Sequence, residues 1–201
     1  MLRIKLEGLD RAMRMFDERI VGKAASQAIN ETVRGVRTAA NKEIRAEWNV
    51  KASDLNQKLR AIKMAKYGDL EGIVEARSAS FSLSYFGATA FRGTMKQTRT
   101  TGQRLKRASS KSGVYVRIKK EGGVTRLPHS FLASVAAGKG AGSHVGVFNR
   151  VGRKRLPIYE RKVITVASMF GQQPVQDAAA KTVDEIFPRR FSHHIDRLLS
   201  K

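Results

Sequence analysis

Residues 23–48 read KAASQAINETVRGVRTAANKEIRAEW, and this stretch decides the fold. Ala25, Ile29, Val33, Val36, Ala40, Ile44 and Trp48 recur at three- and four-residue steps, while Lys23, Glu31, Arg34, Arg37, Lys42, Arg45 and Glu47 take the other positions. That is the period of an amphipathic helix with one apolar stripe. The stripe opens on small Ala residues and ends on Trp48, so close helix packing is expected at one end and a bulky anchor at the other. A stripe needs a partner layer, and the flanking sequence supplies candidates.

On the N-terminal side, Leu2, Ile4 and Leu6 alternate with Arg3 and Lys5, a short strand closed by Gly8. Leu9, Met13, Phe16 and Ile20 then suggest a separate short helix. On the C-terminal side, Ser53-Asp54 can cap another short helix through Leu55 and Leu59. Alternating runs at 60–66 and 70–78 flank Tyr67-Gly68-Asp69, a hairpin signal, and Phe81, Leu83, Tyr85 and Phe86 continue an extended aromatic run. Val114, Val116 and Ile118 pair with 124–127 across Glu121-Gly122-Gly123, and 131–136 pairs with 144–149 across a Gly-rich link. An apolar run at 163–170 closes on Gly171. A last helix starts near Pro174 with Val175, Ala179, Val183 and Ile186, and Pro188 should kink or interrupt it before Phe191, Ile195 and Leu198. Helices first, strands in the middle and a helix last define an α+β fold: N-terminal helices, a central antiparallel sheet with a long basic loop, and a C-terminal helix. One domain over 1–201 is expected, because 201 residues can bury a sizeable core.

Charge narrows the function. Thirty-nine Lys and Arg against seventeen Asp and Glu leave a net charge of +22, which calls for an anionic partner. Close to half of it lies between Arg92 and Arg126, where Glu121 is the single acid. Within that segment, 94–112 is rich in Thr, Ser, Gln and Gly and too poor in apolar residues to order itself by burial, so a mobile basic loop over 92–113 is expected. Its Arg99, Arg104, Lys106, Arg107 and Lys111 are candidate contacts to DNA or to an acidic protein partner. A second candidate set comprises Lys139 in the Gly-rich hairpin and the basic cluster Arg150, Arg153, Lys154 and Arg155.

Catalytic readings are weak by comparison. The absence of Cys excludes a disulfide scaffold, thiolate metal sites and a cysteine nucleophile. Gly138-Lys139-Gly140-Ala141-Gly142-Ser143 lacks the order of a phosphate-binding P-loop and sits between strands rather than before a helix. His193 and His194 are adjacent and cannot share a metal on one helix face, and His129 and His144 are isolated, so surface or interface histidines explain all four. Asp10, Asp17, Glu18, Asp184 and Glu185 read as solvated faces rather than nuclease carboxylates. Phe81, Tyr85 and Phe86 could stack on bases, but such rings are more often core. No catalytic residue, metal or cofactor is expected. No run approaches a membrane span, and a protein made and used inside a cell is expected.

In order, Arg126-Leu127-Pro128-His129-Ser130-Phe131, Val145-Gly146-Val147-Phe148-Asn149-Arg150, Arg155-Leu156-Pro157-Ile158 and His194-Ile195-Asp196-Arg197-Leu198-Leu199 resemble the prophage minor tail protein Z family. The N-terminal strand closing on Gly8-Leu9, the short helix after it and the long Ala-rich helix from Lys23 to Trp48 are also similar to it. The sequence departs from the family pattern after Leu-Pro-Ile, where Tyr159-Glu160-Arg161-Lys162 replaces a Tyr-Gly-Pro-Ser-like step. The resemblance implies a non-enzymatic virion protein, made in the bacterial cytoplasm and added late in tail assembly. It implies action at the head-proximal end of the tail tube, in tail completion and head–tail joining, with other tail or neck proteins as partners. It also implies a homo-oligomeric ring, commonly of six subunits, around the DNA channel. A general nucleic-acid-binding protein that uses the basic loop for sequence-independent phosphate contacts is the alternative.

Overall fold

The structure is a computed structural model that describes residues 2–5, 17–77, 80–91, 113–136, 143–152 and 154–200. The expected basic loop lies almost entirely outside these residues, as do the Gly-rich hairpin link and most of the short helix expected before Ile20. The fold is α+β, with a long N-terminal helix, antiparallel strands and a C-terminal helix. It divides into two compact units, the first comprising Met1–Ala46, Ala52–Ala79 and Thr165–Lys201, the second Glu47–Lys51 and Ser80–Ile164.

In the first unit, β1 (Leu2–Lys5), β2 (Leu59–Lys63) and β3 (Glu71–Ala76) form an antiparallel sheet in the order β1-β3-β2, with Leu2 opposite Val74 and Leu59 opposite Ala76. The helix α1 (Glu18–Glu47) buries Ala25, Ile29, Val33, Val36, Ala40 and Ile44 of the stripe the periodicity predicts, and Val21 besides, while the last stripe residue, Trp48, is buried just past the helix end. Its start corrects the expectation that Ile20 belongs to a separate helix. Asp17 is the cap: its carboxylate accepts the Arg19 N–H at 2.8 Å and its carbonyl those of Ile20 and Val21, so the helix runs on through Gly22. Gly22 has a packing reason, because a Cβ there would lie 2.7 Å from the Tyr67 ring. Gly72 on β3 serves the same purpose: a Cβ would lie 2.9 Å from Ile29 Cγ2 and closer still to Val33. Two glycines thus set how near α1 approaches its neighbours.

The short helix α2 (Ala52–Lys58) begins one residue before the expected Ser53 cap, and Leu59 already belongs to β2. Arg37 of α1 donates to the carbonyls of Asn56, in the last turn of α2, and Leu59, the first residue of β2, each at 2.9 Å, which pins the junction between them to α1. Near the C-terminus, α3 (Val166–Phe170) is capped by Thr165, whose hydroxyl accepts the Ser168 N–H at 3.0 Å. It leads into α4 (Gln173–Leu199), which Pro188 does not interrupt. Proline removes one N–H, but Asp184 and Pro188 are both exposed, so water can take the freed carbonyl, while buried Val175, Ala179 and His194 anchor the helix on both sides.

In the second unit, the strands divide among three small sheets. Strands β5 (Thr89–Phe91), β6 (Gly113–Val116) and β7 (Thr125–Leu127) form one antiparallel sheet in that order. Strands β8 (Ser130–Ala136), β9 (Ser143–Arg150) and β10 (Ile158–Glu160) form a second, with β9 central. Strand β4 (Ser80–Ser82) pairs with β11 (Lys162–Thr165). The extended aromatic run expected after β4 is instead a 3-10 turn over Leu83–Phe86, started by Ser82 and ended by Gly87 at φ 68°. The turn lets Phe81 and Phe86 both bury, edge to face at 6.0 Å, which makes the aromatic cluster core rather than a base-stacking platform.

Candidate anion-binding surface

The second unit places part of the predicted basic cluster together. Arg150 ends β9, and its pairing with Ile158 of β10 makes residues 151–157 the connection at that end of the sheet. Lys154 and Arg155 sit in that connection and are exposed. Arg150 is exposed as well, its guanidinium 4.7 Å from the centre of the Phe131 ring, which orients the charge by cation–π attraction. Arg153 lies outside the described residues, as do Lys139, Arg99, Arg104, Arg107, Lys106 and Lys111. Ser143 stands at the other end of β9, roughly 24 Å from Arg150 at ordinary strand rise.

On the same sheet, Glu160 accepts a bond from His144 at 2.5 Å. Burial would raise the Glu160 pKa, but hydrogen bonds from His144 and Ser82, with the charges of His144 and Lys162, outweigh it and hold the carboxyl below its ordinary value. His144 is therefore a structural partner rather than a lone surface histidine. His194 corrects the sequence reading more sharply. It is buried on α4, its Nε2 3.2 Å from Glu31 of α1, and Arg190 Nε approaches the other Glu31 oxygen to 2.9 Å, near enough for an ion pair but off the line a hydrogen bond needs. Helical phase does not single it out, since exposed His193, fourteen residues after buried Ala179, lies nearer to four whole turns than His194 does; the contact with Glu31 decides which of the two is buried.

These contacts tie β4 and β9 to Glu160 of β10, and α4 to α1. No group of three or more His, Asp or Glu that could hold a metal occurs among the described residues. No described helix is long and apolar enough to cross a membrane. What is left is charge: pairing all seventeen carboxylates one to one would still leave twenty-two of the cations without a carboxylate.

No curated protein and no solved structure matches the chain. A family model does, over residues 6–201, with the N-terminal strand, the long helix, the sheets and the C-terminal helix all within or bordering its span. By that match the chain belongs to the family of prophage minor tail protein Z (GPZ), structural proteins of a phage tail.

Proposed function

We propose that this protein completes the tail and joins it to the head, acting as one subunit of a ring, of six copies by family resemblance, at the head-proximal end of the tail tube. It works by binding and ring closure rather than by catalysis. Family membership supports a structural tail role. The observation that carries the finer reading is the uncompensated charge of +22, which suits a subunit facing a DNA channel or acidic neighbouring rings. The cluster at Arg150, Lys154 and Arg155, together with Arg153, Lys139 and the loop residues Arg99, Arg104, Lys106, Arg107 and Lys111, forms the contact surface in this proposal. A basic segment too polar to order alone would engage only when the partner surface is complete, a sensible device for a late assembly step.

The test is deletion of the gene and its resupply, read by electron microscopy and infectivity. Filled heads and full-length tails that fail to join productively, rescued by the intact chain, support the proposal. Normal infectious particles without the protein would reject it and favour a general nucleic-acid-binding role.

A further inference from the structure

We infer that the connection between β9 and β10 carries apolar anchors among its cations, and that it docks on an acidic protein surface rather than on DNA. The inference rests on the tail-completion reading, since it names the kind of partner that the cluster at Arg150, Lys154 and Arg155 meets. Val151, Leu156 and Tyr159 are 62%, 64% and 59% exposed, the three most exposed large hydrophobic side chains among the described residues. A single exposed apolar residue is ordinary, but here the three most exposed ones fall together within residues 151–159.

The strand register keeps them in one patch. Arg150 pairs with Ile158 and Asn149 with Tyr159, so the two ends of the connection lie about 5 Å apart. Val151 directly follows Arg150, and Leu156 stands two residues before Ile158, at most about 7 Å from it along the chain. Exposed Arg150, Lys154 and Arg155 are interleaved with these side chains. The Phe131 ring under the Arg150 guanidinium orients one of those charges at the base of the connection.

Composition chooses between nucleic acid and protein. Phosphates are bound by cations and polar groups, and a leucine and a valine held out in water add nothing along a phosphate backbone. They do add to a protein interface, whose centre is apolar, whose rim is polar, and in which Tyr and Arg are enriched. The cations set the chemistry of the occupant: an apolar pocket ringed by carboxylates. A second copy is a poor source of these, because the chain has seventeen acids against thirty-nine cations, and Glu160 beside the connection is already held by His144. The occupant is therefore an acidic face of a neighbouring tail protein.

The experiment measures cosedimentation of the labelled intact chain with full-length tails purified from cells lacking the gene, and its binding to a random-sequence DNA duplex. The variant Val151→Ser/Leu156→Ser removes two anchors and keeps every cation. It should bind tails more than about tenfold more weakly than the intact chain, with duplex affinity within about twofold. The apolar-keeping variant Val151→Ile/Leu156→Met should bind tails like the intact chain. If circular dichroism shows the double serine variant poorly folded, Leu156→Ser alone carries the test, with a loss of more than about threefold. Equal binding of tails by the intact chain and the folded variant overturns the inference and leaves the tail-completion reading standing, whereas no binding by the intact chain overturns both. Weaker duplex binding by the variant, the mark of an apolar wedge between base pairs, also overturns the inference. So does self-association of the intact chain in sedimentation equilibrium that the variant loses.

Discussion

His194 on the C-terminal helix lies 3.2 Å from Glu31 on the long N-terminal helix, a contact between residues 163 positions apart in sequence. It joins two helices that also meet through the Arg190–Glu31 ion pair, the Arg197–Gln27 hydrogen bond and close packing at Gly35, where a Cβ would lie 2.5 Å from Ile186 Cδ1. Removing the carboxylate leaves a buried imidazole without its hydrogen-bond partner and the Arg190 guanidinium without its ion-pair partner. Glu31→Ala should therefore lose about 1–3 kcal/mol of stability, and Glu31→Gln less, measured by denaturant unfolding. Equal stability of Glu31→Ala and the parent would show the contact to be incidental.

Ile44 is fully buried on the α1 stripe, whereas Lys42 on the same turn is exposed. Ile44→Ala should cost about 2–5 kcal/mol, through lost burial and the cavity left behind, and Lys42→Ala less than about 0.5 kcal/mol. A small effect at Ile44 would mean that the stripe does not face the core.

Gly72→Ala tests the approach of α1 to β3. The added methyl meets Ile29 and Val33 in a packed layer, and over-packing of this kind costs about 1–3 kcal/mol. Thermal unfolding reads the effect, and a neutral result would show that helix and sheet can separate without loss.

Glu160 and Glu71 have folded pKa values below their ordinary 4.5, Glu160 through the balance set by His144 and Ser82, Glu71 through its hydrogen bond from Lys63. The unfolded chain then binds more protons than the folded one around and below pH 4.5, so stability falls as pH drops through that range. Urea midpoints should decline from about pH 6 to about pH 3, and the decline should be shallower in Glu160→Gln. A profile identical in the variant would contradict the assignment.

Several elements could be read from sequence because a period or a turn dictates them. The α1 stripe, the turn at Tyr67-Gly68-Asp69 and the hairpin joining β8 to β9 each follow from local spacing. Other features depend on distant partners. Nothing local separates buried His194 from exposed His193; the difference is that Glu31 waits on another helix. Leu83–Phe86 has strand-like composition, yet Ser82 and Gly87 close it into a turn that buries both Phe81 and Phe86. Of the candidate contacts, Arg150, Lys154 and Arg155 lie among the described residues, and their shared position at one sheet end follows from the register of β9 against β10.

Exposed cations contribute little to folding, so Arg150→Gln/Lys154→Gln/Arg155→Gln should melt within a few degrees of the parent. In phage complementation the same variant should yield fewer infectious particles. Full infectivity would remove this cluster from the joining surface.

The most direct measurement of the central claim is cryo-electron microscopy of virions carrying a tagged copy of the chain. The account predicts density for the protein at the head-proximal end of the tail tube, as a closed ring around the channel. Density at the distal tip, along the tail, or absent from the finished particle would contradict it.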